Sequence, residues 1–291
     1  MVVHALKAHG TPHGSEERRR TARGAHGESV GSPPAGPVLR LLGSWSLWSS
    51  GREVVATASE QRLVVLLALR GRQRRAFLGG VLWPDVADRQ ALTRLRNTLS
   101  SLRHRCPGLI ETSEDTVALA QAVAVDVREL EAAARDLVDG RSRPVPVDTR
   151  LEVLVGSSEL LLGWYEDWIL RERDRLNELR VRALEVLVDE LLGARRCAEA
   201  SEAAIAAVQL DPLRESSHRA LMRVYLAEGN PALASRQVDR YRGILQAEFG
   251  TSEPTPQMLD LAVRGCEIRR SPLVLATAPA LDQSGLNGPG R

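Results

Sequence analysis

The run RQALTRLRNTLSSLRHR, residues 89–105, carries five arginines and no aspartate or glutamate. A solvent-facing helix ordinarily alternates its charges, because opposite signs three or four residues apart support it. A one-signed helix forgoes that support, which is sensible when the opposite charge comes from outside the chain. A nucleic-acid duplex is such a polyanion. At 100° per residue, Leu92, Leu95, Leu99 and Leu102 share one face. Gln90, Thr93, Arg94, Asn97, Ser101 and His104 share the opposite one. Arg89, Arg96 and Arg103, seven apart, make a cationic stripe along one edge, and Arg105 lies towards the other. Asn and Arg read base edges of a major groove by bidentate hydrogen bonds, and arginine pairs well with phosphate. This patterning designates Thr93, Arg94, Asn97 and Ser101 as base-facing. It designates Arg89, Arg96, Arg103 and Arg105 as phosphate-facing, joined by Arg74 and Arg75 and flanked by Arg72, just upstream.

Such a helix needs a frame. Short apolar runs flank SSG in VLRLLGSWSLWSSGREVVAT, which predicts strands and a hairpin. Thr57 and Glu60 fit a capping box ahead of QRLVVLLALR, an apolar helix that Gly71 ends. RRAFLGGVLW predicts a second helix, stopped at Trp83-Pro84. The arginine-rich run is the third, starting near Asp85 or Asp88 and ending at Pro107-Gly108. IETSEDTVALA predicts a closing hairpin. Strands, three helices and a terminal hairpin are the layout of a winged helix-turn-helix. One feature disagrees: the wing ETSEDT carries Glu111, Glu114 and Asp115 and no cation, where a groove-entering wing offers Arg or Lys.

The rest of the chain is helical in pattern. Asp126 is placed to cap a helix from Arg128 to Val138, and GRSRPVPVD marks a loop. Helical periodicity then runs from Tyr165 to about Arg270, broken by DPLRE and EGNP. Shifting the sequence by 34 lays LLGARRCAEAS (191–201) on YLAEGNPALAS (225–235), with Leu187 on Leu221, Leu192 on Leu226, Ala198 on Ala232 and Ala200 on Ala234. A period of 34 with small residues at recurring positions is the signature of tetratricopeptide helical hairpins. Residues 1–37 and 271–291 are polar or Pro/Gly-punctuated and are expected to be a disordered leader and tail. The domains expected are thus 38–125, winged helix, and 126–270, helical array.

Charge follows this division. The net charge of +2 hides a local polarity: residues 38–125 hold 12 Arg against 7 acids, and residues 126–270 hold 21 Arg against 26. The basic excess therefore sits with the predicted reading head. Three isolated cysteines make neither a disulfide framework nor a zinc site and suit a reducing cytosol. Four histidines, His4, His9, His13 and His26, fall in the leader and are read as solvated rather than metal-binding. No nucleophile motif, paired metal ligands or Gly-rich phosphate loop is present, so neither catalysis nor a cofactor is expected. No apolar run approaches a membrane span. Trp164, Tyr165 and Trp168 are read as core of a helical array rather than a ligand pocket.

The segments LLALRG, VLWPD and LTRLRNTLSSLR in the first half resemble the Streptomyces antibiotic regulatory proteins, or SARPs. So do DVRELEAAARDL, ELLLGWYEDWILRERDRLNELRVRALEVL and VQLDPLRESSHRALMRVYLAEGNPALASRQVDRYRGILQAEFG in the second. The resemblance covers about residues 38–262. It implies a mostly α chain: a winged helix like that of phosphorelay effector domains, then a tetratricopeptide-like bacterial transcriptional activator domain. It further implies a cytoplasmic, nucleoid-associated activator that binds direct repeats in double-stranded DNA, commonly beside a biosynthetic gene cluster. Its helical domain would touch the RNA polymerase holoenzyme and form a homodimer. No P-loop follows, which marks a short member. The rival expectation is a tetratricopeptide-type adaptor whose winged helix binds no DNA.

Overall fold

A computed structural model describes residues 36–140, 146–250 and 253–270. The expected tail, the expected leader save its last two residues, and most of the GRSRPVPVD loop lie outside the described residues.

Two small sheets frame the first three helices. Strand β1 (Val38–Arg40) pairs antiparallel with β2 (Ser46–Ser49), which turns back into β3 (Arg52–Glu53). Ser50 (φ 51°) and Gly51 (φ 74°) form the two-residue link. Two positive φ values in succession are what a tight hairpin with right-handed strand twist requires. β7 (Ala124–Val125) returns to lie parallel to β1, giving the order β3-β2-β1-β7. The second sheet has the order β4-β6-β5, from Gln73–Arg74, Thr116–Leu119 and Ile110–Thr112.

Between the sheets lie α1 (Ala58–Arg70), α2 (Arg75–Leu82) and α3 (Asp88–Arg105). The capping box is present: Thr57 Oγ1 accepts from Glu60 N–H, and Glu60 accepts from Thr57 N–H at 2.7 Å. Gly71 ends α1 with φ 68°, and Trp83 ends α2 before Pro84. Mostly helical, with a small-sheet winged helix ahead of a helical array, the fold is the one expected.

The array comprises α4 (Asp126–Val138), α5 (Val147–Gly156), α6 (Asp167–Gly193), α7 (Cys197–Leu210), α8 (Glu215–Ala227), α9 (Pro231–Phe249) and α10 (Pro256–Arg270). The breaks at DPLRE and EGNP are where the sequence puts them. α5 was not expected, since its segment was read partly as loop. Tertiary contacts hold it: Leu151 and Leu154 are buried, and the buried Arg180 of α6 donates to the Leu154 and Val155 carbonyls at 2.6 and 3.2 Å. Those are carbonyls at a helix end, which lack intrahelical partners. Asp126 differs from expectation too. It opens α4, but its carboxylate accepts from Leu41 and Leu42 N–H at 2.9 and 3.0 Å as well as from Val127 N–H. It fastens the end of β1 to the array; the N-cap of α4 is Val125, and no side chain caps the helix.

The 34-residue repeat is physical. α6–α7 and α8–α9 turn through equivalent residues, and Leu187, Leu221, Ala200 and Ala234 are all buried. Ala198 and Ala232 are equivalent to each other but exposed, so only one of the two small-residue positions marks a close approach.

The larger of two apolar clusters runs from Leu39, Leu47 and Leu63 through Leu130 and Leu154 to Leu184 and Leu221; the smaller holds Met222, Val238 and Met258. The larger passes residue 125 without a break. Backbone contacts stitch the same junction: Leu42 bridges Leu160, and Leu161 N–H donates to Leu41 O at 2.8 Å. Ion pairs Arg62–Glu166 (2.7 Å) and Arg70–Glu172 (2.9 Å) join α1 to the start of α6.

Candidate nucleic-acid interface

The face that α3 buries differs by one residue from the pattern read in the sequence. Ala91, Leu95, Leu99 and Leu102 are buried, and Leu92 stands 38% exposed. The cause is a close helix crossing. A Cβ placed on Gly79 of α2 would sit 3.3 Å from the Cβ of Ala91, so the two backbones meet through the smallest side chains. This rotates the buried stripe towards Ala91 and rotates the outward face with it.

The centre of that outward face is a row of Thr93, Asn97, Ser100 and His104, all exposed. Thr93 donates its hydroxyl to Arg89 O at 2.9 Å, a common side-chain arrangement within a helix. Asn97 has no hydrogen-bond partner for its side chain among the described residues, so both its donor and acceptor are open. Of the four residues expected to face bases, Thr93 and Asn97 lie in this row. Arg94 does not: it lies on the edge nearer the array, lining a cleft of about 480 Å³ with Arg62, Trp83, Glu166 and Trp168. Trp168 is thus half-buried at a cleft rather than wholly core. Ser101 is half-buried and accepts from Arg105 Nε at 3.3 Å. Ser100 belongs in the row instead, beside His104, which the sequence already put on this face; the rotation imposed by Ala91, invisible in hydrophobicity alone, is what brings Ser100 in.

The arginines expected to face phosphate separate by their partners. Arg89 and Arg96 are exposed, and no ion partner approaches either guanidinium among the described residues. Arg103 is exposed and reaches Thr112 on β5. Arg105 is engaged internally: its guanidinium donates to Val55 O at 3.1 Å and lies 3.3 Å from Glu60 Oε1. Glu60 is 1% exposed. Burial by itself would raise its pKa. Hydrogen bonds from Ser101 and Thr57, with the charge of Arg105, outweigh that and hold the carboxyl below the ordinary glutamate range.

The acid-rich wing is explained at the same time. Arg72 lies 3.3 Å from Glu111, and Arg74 lies 3.8 Å from Asp115. Arg75 donates to the Glu114 and Ser113 carbonyls at 3.2 and 3.4 Å. β4, which carries Arg74, pairs directly with β6 of the wing. Two of the three wing acids therefore answer Arg72 and Arg74, between α1 and α2, and those pairs largely cancel. Exposed pairs of this kind contribute little stability, about 0–1 kcal/mol each. Their consequence is electrostatic: uncancelled positive charge is left on α3, along Arg89, Arg94 and Arg96.

Among the described residues no group of three or more His, Cys, Asp or Glu is placed to hold a metal. The buried His218 is structural: Nε2 donates to Pro212 O at 2.9 Å, and Nδ1 accepts from Gln237 at 2.7 Å. No described helix is long and apolar enough to cross a membrane.

A winged helix whose third helix is cationic on its outward face, joined through a shared core to a helical-hairpin array, is the class of protein that fold and site define. Residues 153–264 match the family model of the bacterial transcriptional activator domain. The fold is similar to that of Mycobacterium tuberculosis EmbR, solved in complex with a low-affinity phosphopeptide. The TM-score is 0.61 at 17% identity, over 81% of this chain and 66% of EmbR. No curated protein matches the chain. Domain match and fold together support the resemblance to SARP-type activators carried by the sequence motifs.

Proposed function

We propose that this protein is a transcriptional activator of the SARP type that reads duplex DNA with α3. The observation that carries the reading is the outward face of that helix: hydrogen-bonding side chains along its centre and uncancelled arginines beside them. Thr93 and Asn97 face base edges. Arg89 and Arg96 hold phosphates on one side, with Arg103 next along the same stripe and Arg94 on the opposite edge. Arg74 and Arg75 brace the wing and approach the backbone only through it. Residues 38–125 act as the reading head and 126–270 as the activator domain, which meets the RNA polymerase holoenzyme and a second copy of the chain on direct repeats beside a promoter. Its place of action is the cytoplasm, at the nucleoid.

The test is a titration of the purified protein against its own upstream DNA and a scrambled duplex at two salt concentrations. Three phosphate-bound arginines per protomer, Arg89, Arg96 and Arg103, give a slope of log affinity on log salt of about −2.7. Preferential binding with a slope of that order supports the reading. A folded protein that binds no duplex at low salt overturns it. The second reading, an interaction adaptor, is favoured by one observation. A groove of about 640 Å³ opens among α4, α6, α8 and α10, lined by Val138, Val186, Leu261, Arg219 and Arg223.

A further inference from the structure

We propose that His104 is a specificity residue that accepts a hydrogen bond from an exocyclic amino group, adenine N6 or cytosine N4, at one end of the DNA site. This rests on the reading of α3 as the DNA-reading helix and goes beyond it by assigning a base class to a residue.

The ring's orientation fixes its chemistry. His104 Nδ1 lies 2.7 Å from the carbonyl oxygen of Ser100. A carbonyl oxygen only accepts, so the proton sits on Nδ1. In that tautomer Nε2 presents a bare lone pair. His104 is exposed in the row with Thr93, Asn97 and Ser100. Its neighbours do not compete for the same contact. Arg103 is engaged with Thr112, and Arg105 with Val55 O and Glu60. The C-terminal end of the outward face therefore offers the His104 acceptor at its centre, with Arg103 turned towards the wing at one edge and Arg105 towards α1 at the other.

The major groove contains few partners for an acceptor. Guanine N7 and O6, adenine N7 and thymine O4 are themselves acceptors; only adenine N6 and cytosine N4 donate. An acceptor-only imidazole discriminates against the rest, because it leaves them facing a lone pair. The distance along the helix from residue 93 to 104 is about 16 Å at 1.5 Å per residue. At about 3.4 Å per base pair that spans roughly five steps, so His104 meets a terminal position of the window and Asn97 an interior one.

The measurement is selection of bound sequences from random duplexes with wild type, His104→Ala and His104→Arg, followed by sequencing. Wild type is expected to enrich adenine or cytosine at one end of a window of about five base pairs, by roughly fivefold or more, in keeping with one good hydrogen bond. His104→Ala flattens that position and leaves the others intact. His104→Arg converts it to guanine, the base that arginine reads through O6 and N7. If wild type enriches a site and His104→Ala enriches the identical site at every position, the proposal is overturned while the reading of α3 stands. If wild type enriches nothing, the reading of α3 falls and takes the proposal with it.

Discussion

The Arg105 guanidinium lies 3.3 Å from Oε1 of the buried Glu60, which joins the last turn of α3 to the first turn of α1. One carboxylate closes the capping box of α1 and also meets the last turn of α3. Truncating Arg105 leaves that carboxylate buried beside fewer donors. Arg105→Ala is expected to destabilise the fold by about 1–3 kcal/mol, the range for an abandoned buried polar partner. The pH dependence has a definite sign. Glu60 is held below its ordinary pKa in the folded state, so its contribution is present above the ordinary glutamate value and fades as pH falls through the lower folded one. Denaturant unfolding at neutral and acid pH checks both: the variant loses stability at neutral pH and shows a shallower decline on acidification. Equal stability of the two proteins at both pH values would refute the coupling.

Base and phosphate contacts have separable signatures. Asn97→Ala removes an open bidentate reader, so preference at one interior base pair should weaken by about 1–3 kcal/mol while affinity for scrambled DNA holds. Arg96→Ala should weaken every duplex about equally and lessen the salt slope by about one. Competition binding at several salt concentrations separates the two. Parallel, sequence-independent losses in both variants would contradict the assignment.

The crossing of α2 and α3 is set by Gly79 against Ala91. Gly79→Val adds methyls where even a Cβ is tight. Overpacking of this kind costs about 1–3 kcal/mol. It also pushes α3 off its seat, so DNA affinity should fall more than the loss of folded population accounts for. Thermal denaturation alongside binding measures the two effects. A variant of unchanged affinity would show that the crossing does not position the reading face.

Element order was legible because each element carries its own local signals. Thr57 and Glu60, Gly71, the Trp83-Pro84 stop and the Ser50-Gly51 link each act within a few residues. The reading face was only partly legible. Leu92 outweighs Ala91 on any hydrophobicity count, but Gly79, far off in sequence, decides which of them is buried. The wing looked wrongly charged because Arg72–Glu111 and Arg74–Asp115 join residues about forty apart. α5 was missed for a similar reason, since the group that satisfies its last carbonyls, Arg180, sits on another helix.

His218 is fully buried between the turn after α7 and α9, hydrogen-bonded at both ring nitrogens, with the Tyr241 ring tilted against it at 4.5 Å. Burial lowers its pKa from the ordinary histidine value. The folded state thus takes up a proton less readily than the unfolded one. Stability is fully present above the ordinary value and declines as pH falls through the lower folded value. Unfolding curves from pH 7 to pH 5 should show that decline in wild type and a flatter profile in His218→Gln, whose amide does not titrate. Identical slopes would remove histidine as the cause.

The two helical hairpins close in the same way, and one of them is strained. Arg196 N–H donates to Leu191 O at 2.9 Å after α6, and Asn230 N–H donates to Tyr225 O at 2.8 Å after α8. These are the six-to-one bonds of a helix end whose next-to-last turn residue is left-handed. In the second hairpin that residue is Gly229, at φ 75°; in the first it is Arg195, at φ 59°. The shift of 34 lays Arg195 on Gly229, so the sequence itself points to the strained copy. A side chain in this conformation costs about 1–2 kcal/mol relative to glycine. Part of that gain is offset by the greater freedom glycine has in the unfolded chain. Arg195→Gly is therefore expected to raise stability by about 0.5–1 kcal/mol, read as a higher denaturation midpoint with unchanged slope. Because Arg195 lies far from α3 in sequence and pairs with no acid among the described residues, DNA affinity should not move. A lower midpoint would mean that its side chain contributes contacts worth more than the strain.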